Sequence, residues 1–281
     1  MRVIRGFPPL YLPVVRGGRP ANNPTPHVLK EDTGIANALS ITQEPVFTPG
    51  ASGDIIVGQM EKYLGNTPAI DCDNESVKGK AADLTEDQEE VIDRAINLFY
   101  FVRDEIKYNP YLLSAHIEDY RASKVLRTGQ GWCVQKAVLL AALARAVGIP
   151  ARLHFADIRN HLLPAKQEEL MGTNLFSYHG YTDLYIGGKW VKATPAFDLR
   201  LCQENRIIPV EFDGKNNAVF HSHNLDGELH IEHIQDHGHY EDIPLDEMLT
   251  AWVEVYGLES REQLSQLLDA ASANRKPEPW R

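Results

Sequence analysis

Cys133 stands just before a long helical stretch, in the segment GQGWCVQKAVLLAALARAVGIPAR that runs from Gly129 to Arg152. A thiol at a helix N-terminus sits among unpaired backbone N–H groups at the positive end of the macrodipole, which favours the thiolate and lowers its pKa. That prepares a nucleophile. The bland alternative is a small buried apolar residue. Gly129, Gln130 and Gly131 read as a polar, flexible approach for substrate backbone, and the amide of Cys133 itself points where an oxyanion would develop. A second candidate lies downstream in FSYHGYTDLYIGGKWVKATPAFD, where His179 opens a strand. A lone strand histidine is usually structural. Beside a helix-capped thiol, however, a neutral imidazole can take the proton and make an ion pair that attacks acyl carbons.

The elements that must position these groups are legible around them. Val134, Ala137, Val138, Ala141, Ala144 and Val147 recur at three and four residue steps, and Leu139, Leu140 and Leu143 make the other faces apolar. This predicts a helix buried nearly all round. Gly148 supplies a left-handed stop and Pro150 prevents continuation. ARLHFADI then alternates, with Ala151, Leu153 and Phe155 on one face and Arg152, His154 and Ala156 on the other, which predicts a strand. Gly187-Gly188 is suited to a two-residue hairpin pairing Tyr178–Ile186 with Lys189–Thr194.

The ordered set of Cys133, the RAVGIPAR run from Arg145 to Arg152, His179 and Trp190 resembles the transglutaminase-like superfamily of thiol enzymes, over about residues 85 to 200. The resemblance implies an α+β fold, a transglutaminase-like core related to papain-like cysteine proteinases, with a buried Cys helix packed on an antiparallel sheet. It also implies a triad in the chain order Cys, His, acid. The papain signature itself is absent, and Cys133 and His179 are too close in sequence for that pattern. The departure is at the third position. In the family an Asp follows the Trp after three residues, and here Thr194 occupies that place. A hydroxyl can still accept from a ring N–H but offers no charge, and loss of the acid in a serine triad costs on the order of 10⁴ in rate. Pro195 ends the strand, so Asp198 is the alternative orienter, set slightly ahead of Thr194; its competing reading is a turn cap. Asp183 shares the face of His179 but lies about 13 Å along a regular strand.

Three further residues are candidates for the substrate cleft. Gln130 offers a side-chain amide to an oxyanion, Trp132 either walls the cleft or packs beneath the helix entry, and Tyr108 either faces the cleft or joins the core. His221, His223, His230, His233, His237 and His239 crowd one short segment, and imidazoles so spaced can ligate zinc or copper, but they match no ligand motif. The alternative is a polar strand and loop segment that lines or roofs the cleft, and since the chemistry that the resemblance implies needs no metal, no metal and no cofactor is assigned.

Composition bounds the rest. The chain has 281 residues, 43% of them hydrophobic, enough for a full core. Three cysteines make no disulfide framework and suit a reducing compartment, with Cys72 and Cys202 unpaired. A formal charge of −11 argues against nucleic acid as a partner, and no stretch is apolar for long enough to span a membrane. Pro8, Pro9 and Pro13 interrupt the only leader-like segment, which leaves the cytoplasm as the expected location. Residues 1–52 read as an irregular arm, and residues 53–281 as the transglutaminase-like domain with a C-terminal helical extension. Thr85 with Gln88 reads as a capping box opening a long helix with an apolar stripe from Val91 to Ile106. Pro244–Tyr256 and Ser260–Ala273 read as two more helices.

The expected activity is a cysteine protease or amidase that acts on a peptide or protein substrate. Its rivals are acyl transfer to an amine and a non-catalytic binding module that retains the fold. The first is disfavoured by the lack of room for the extra sandwich domains of cross-linking transglutaminases and of an obvious calcium loop. The second draws its support from the missing family Asp. Oligomeric state is open.

Overall fold

The computed structural model describes residues 60–273, apart from 164, 166, 167, 170 and 171. The arm read over residues 1–52 lies outside the described residues. Among those described, the chain forms α1 (Glu75–Thr85), α2 (Val91–Tyr100), a π-helical turn (Phe101–Glu105), β1 (Lys107–Tyr108), α3 (Ala122–Thr128), β2 (Gln130–Gly131) and α4 (Cys133–Ala146). It continues through β3 (Ala151–Asn160), β4 (Leu175–Ile186), β5 (Lys189–Ala193), α5 (Leu199–Glu204), β6 (Ile231–Tyr240), α6 (Leu245–Val255) and α7 (Arg261–Ala273).

One antiparallel sheet, in the order β5-β4-β3-β6, carries the architecture. The β4–β5 hairpin turns at Gly187 and Gly188, both with positive φ (59° and 83°), as a two-residue turn between right-twisted strands requires. The helix α4 lies against β3 and β4 on one face, and every residue from Cys133 to Arg145 is buried. Two features allow the close approach. Thr182 Oγ1 donates to Ala137 O at 2.9 Å, and Gly180 has no Cβ where one would stand 3.0 Å from a Val134 methyl. The expected α+β core with its Cys helix on an antiparallel sheet is therefore what the chain builds.

Two expectations change. Thr85 is not an N-cap: it ends α1, and its hydroxyl donates to Ala81 O at 2.8 Å. The next helix begins at Val91 behind Glu90, which makes no side-chain cap. Helix α1 is capped instead by Asn74, whose Oδ1 accepts from Ser76 N. It buries only Val77, Ala81 and Thr85, too narrow an apolar face to be seen in the sequence. The stripe towards Ile106 is real but passes through the π-helical turn before the chain extends at β1. No helix among the described residues is long and apolar enough to cross a membrane.

Candidate active site around Cys133

The first turn of α4 places the thiol. Trp132 is the N-cap residue with extended backbone, and its N–H donates to Gln135 Oε1 at 3.2 Å. An indole has no acceptor to complete a capping box, so the Gln135 half acts alone. Gln135 is itself held, its Nε2 donating to Asp119 O at 2.8 Å. Gly131 lets this turn pack tightly, since a Cβ there would stand 3.1 Å from Gln135 Cβ. The glycine thus serves helix packing.

Three amides lower the pKa of the Cys133 sulfur: its own, that of Val134 and that of Gly180 in β4. The third follows from sheet geometry. Along β4 the N–H groups of Ile186, Leu184 and Thr182 face β5, opposite Lys189, Val191 and Ala193, and Gly180 would be next. But β5 ends at Ala193. The thiol takes the position of the missing strand partner, at an open edge of the sheet. Cys133 is only 6% exposed, and burial outweighs the amides, pushing its pKa up to about 12. This corrects the expectation of a thiol acidified by the helix terminus: desolvation of an anion is larger than the help of three N–H groups.

His179 is the residue before Gly180, opposite Ala156 of β3. Strand alternation sends its ring to the face away from α4, together with Tyr181 and Asp183. There it packs 4.9 Å from the Phe220 ring and 6.2 Å from Tyr181. It is 4% exposed, and burial first, then His233, lowers its pKa to about 3. Sulfur and imidazole thus belong to the same strand end but to opposite faces of it, with no hydrogen bond between them, and burial favours the neutral form of each.

The two orienter candidates have separate surroundings. Thr194 is buried one position beyond the last β4–β5 pair, and its N–H donates to Ala218 O at 2.9 Å. Asp198 caps α5, with Oδ1 accepting from Leu201 N at 2.9 Å and Oδ2 from Tyr108 N at 3.0 Å. Both of its oxygens hold amides, and it ties β1 to α5. Asp183, set aside in the sequence, pairs with Arg152 and His154.

Of the cleft candidates, Tyr108 is close enough to the thiol to feel its charge. Burial and then Cys133 push its pKa well above the ordinary value, and its ring meets Phe197 edge-on at 5.0 Å. Phe197 lies 4.6 Å from Phe220, so a column of rings connects Tyr108 to His179. Gln130 accepts from Asn109 Nδ2 at 3.0 Å. Trp132 packs beneath the helix entry between Tyr120 and Trp252, and its buried Nε1 has no partner among the described residues.

Sequence reasoning missed Gly180 and Phe220. A glycine inside a strand marks a close backbone approach, and that signal pointed to Gly180. Phe220 lies in a segment without period, where nothing in the sequence places it. The histidine-rich segment becomes the edge strand β6 and the loop before it. His237 pairs with Asp157, while His230 is buried. Among the described residues no group of three His, Cys, Asp or Glu side chains could hold a metal ion.

Residues 78–195 match the model of the transglutaminase-like superfamily. No curated protein matches the chain. Among solved structures, a candidate cysteine protease from Cytophaga hutchinsonii is similar over 69% of this chain and 49% of its own, at 18% identity and a TM-score of 0.42. A candidate protease from Parabacteroides distasonis is similar over 51% of this chain and 26% of its own, at 17% identity and a TM-score of 0.32. The periplasmic domain of TgpA from Pseudomonas aeruginosa is similar over 53% of this chain and 51% of its own, at 16% identity and a TM-score of 0.39. The chain therefore spans about half or less of the length of these structures.

Proposed function

We propose, on the premise that residues 78–195 match the transglutaminase-like superfamily, that the chain is a cysteine hydrolase that cleaves an amide or peptide bond through a thioester on Cys133. One observation carries the reading: the sulfur lies at the head of α4, within reach of the amide of Gly180, the residue that follows His179. In the reaction the thiol proton passes to the imidazole as sulfur bonds to the carbonyl carbon, and the oxygen takes the electron pair. The Cys133 amide receives this oxyanion. Collapse expels the amine, which leaves with the proton from His179. Water then attacks the thioester, His179 takes its proton, and the acid is released with the thiol restored. Burial disfavours a resting ion pair, so proton transfer accompanies attack. The third-position hydroxyl of Thr194 gives no charge to the imidazolium, whose counter-charge in this sequence of steps is the oxyanion itself.

A binding module that retains the fold is the second reading. It is favoured by Thr194 at the family's Asp position and by Phe220 lying on the His179 ring. Alkylation with iodoacetamide, resolved by peptide mapping so that Cys72 and Cys202 are scored apart, separates the two. The hydrolase reading expects Cys133 to react at neutral pH and to slow about tenfold or more in His179→Gln. A Cys133 that is inert from pH 5 to 9, or indifferent to His179, assigns the chain to binding. Adding an amine acceptor to a peptide turnover assay distinguishes hydrolysis from transfer.

A further inference from the structure

The pairing of β3 with β4 breaks next to the proposed site. Ala156 faces His179 and Ile158 faces Phe176, so Ser177 and Tyr178 together oppose Asp157 alone. That is a β-bulge, and its second residue has left-handed backbone, with φ of 57° at Tyr178. Glycine is the residue suited to that conformation, and a tyrosine there is strained unless its surroundings hold it. The register of β3 with β6 also shifts on either side of this point, between Phe155 and Ala156 and between Asp157 and Ile158.

Asp157 is the hub of the irregularity. Its Oδ1 accepts from the Tyr178 N–H at 3.0 Å, from Ser177 Oγ at 2.8 Å and from His237 Nε2 at 2.7 Å. The His237 ring stacks on the Tyr178 ring, 4.1 Å between centroids and 11° from parallel. The far end of the tyrosine is fixed as well, its hydroxyl donating to Glu247 Oε2 at 3.3 Å, and Trp252 Nε1 donates to Ser177 O at 3.1 Å. Every bond converges on the two residues that precede His179 and Gly180.

We infer that Asp157 and His237 are positioning residues, which hold the strained bulge at Tyr178 and thereby set the amide of Gly180 against the Cys133 sulfur and fix His179 at the same strand end. The inference rests on the Cys133–His179 reading. Asp157 acts through the backbone amide it binds, and His237 acts as the proton donor and stacking plate that hold Asp157 and Tyr178 in register. Neither touches the reacting atoms.

The test is the pH profile of Cys133 alkylation by iodoacetamide in the full chain, resolved by peptide mapping, with thermal melts alongside. Asp157→Ala is expected to slow Cys133 about tenfold or more at neutral pH and to give the profile of His179→Gln; added to His179→Gln it costs less than about twofold, because coupled residues are not additive. Asp157→Asn keeps an oxygen for all three donors and is expected to stay within about threefold of the parent. If Asp157→Ala does not fold, His237→Gln carries the test, with a smaller loss and the same change of profile. A folded Asp157→Ala or His237→Gln protein with the parental profile overturns the inference. So does an Asp157→Ala effect of full size in the His179→Gln background, the mark of a merely structural residue. A parental Cys133 indifferent to His179→Gln fails earlier and separately, removing the hydrolase reading and this inference together.

Discussion

His179 and Cys133 illustrate a competition decided by magnitude. The helix terminus and three N–H groups favour a thiolate, each charge-assisted hydrogen bond being worth about 1.5–3 kcal/mol. Removing the sulfur from water costs more, and the pKa rises to about 12. The sequence revealed the capping geometry because it depends on neighbours in the chain; it could not reveal burial, because the rings that enclose the site come from Tyr108, Phe197 and Phe220, far apart in sequence. For His179 the same desolvation gives a stability signature. Its folded pKa near 3 lies below the unfolded value of 6.5. Above pH 6.5 both states are neutral and the full stability is present. As pH falls from 6.5 towards 3 the unfolded chain binds a proton that the native state refuses, and stability is lost at about 1.4 kcal/mol per pH unit. Urea unfolding at pH 7 and pH 4.5 is expected to show the parent losing about 3 kcal/mol more than His179→Gln. Equal losses would mean that the ring is protonated in the folded protein. His230, pushed down to about 4 by burial, contributes in both proteins and cancels in the comparison.

At the scale of elements, α4 was legible from end to end, since its period, its Gly148 stop and its Pro150 are local signals. Its interior holds one group that the apolar pattern did not explain. Lys136 is completely buried, and its Nζ donates to Arg103 O at 2.9 Å and Ile106 O at 2.6 Å. These carbonyls belong to the end of the π-helical turn, where a cation is favoured by the dipole and by unpaired acceptors. The lysine therefore fastens the Cys helix to the turn that leads into Tyr108. Burial lowers its pKa from 10.5 to about 7, partly offset by Asp198 and Asp104. The sign is opposite to an ordinary ion pair: below pH 7 the fold must bury a charge, and between pH 7 and 10.5 the unfolded chain binds the extra proton, so stability rises with pH. Relative to Lys136→Met, the parent is expected to gain about 2 kcal/mol in chemical denaturation between pH 7 and 9. The raised thiol of Cys133 opposes this above pH 9, but equally in both proteins. Parallel pH curves would show that Lys136 stays charged throughout. By contrast, α1 and the π-helical turn escaped the sequence reading, because a narrow apolar face and a wide turn leave no distinctive period.

Across the whole molecule, the alternation of β3 predicted two unlike faces, and the structure bears this out. Phe155 lies in the apolar core with its ring 5.8 Å from Tyr178, while Arg152 and His154 bind Asp183 at 2.9 and 3.1 Å. Strand order was not legible, because β6 joins β3 from a segment far down the chain whose histidines dominate its composition. The Arg145 side chain shows how distant segments are closed into one body. Its Nε donates to Ala151 O at 3.0 Å, one terminal nitrogen to Gly65 O at 2.7 Å and the other to Glu241 O at 2.7 Å. One guanidinium thus joins the start of the described chain, the first residue of β3 and the link between β6 and α6. Its five-donor fork reaches three carbonyls in a way a single ammonium cannot. Arg145→Met leaves three partly or fully buried carbonyls without this donor and is expected to cost about 3 kcal/mol or more, with Arg145→Lys recovering part of it. Because the three carbonyls lie on separate segments, the loss should also lower the cooperativity of unfolding, read as probe-dependent midpoints for tryptophan fluorescence and far-UV circular dichroism. A loss below about 1 kcal/mol, with coincident midpoints, would mean that water replaces the guanidinium at all three carbonyls and that the body is closed by its apolar core alone.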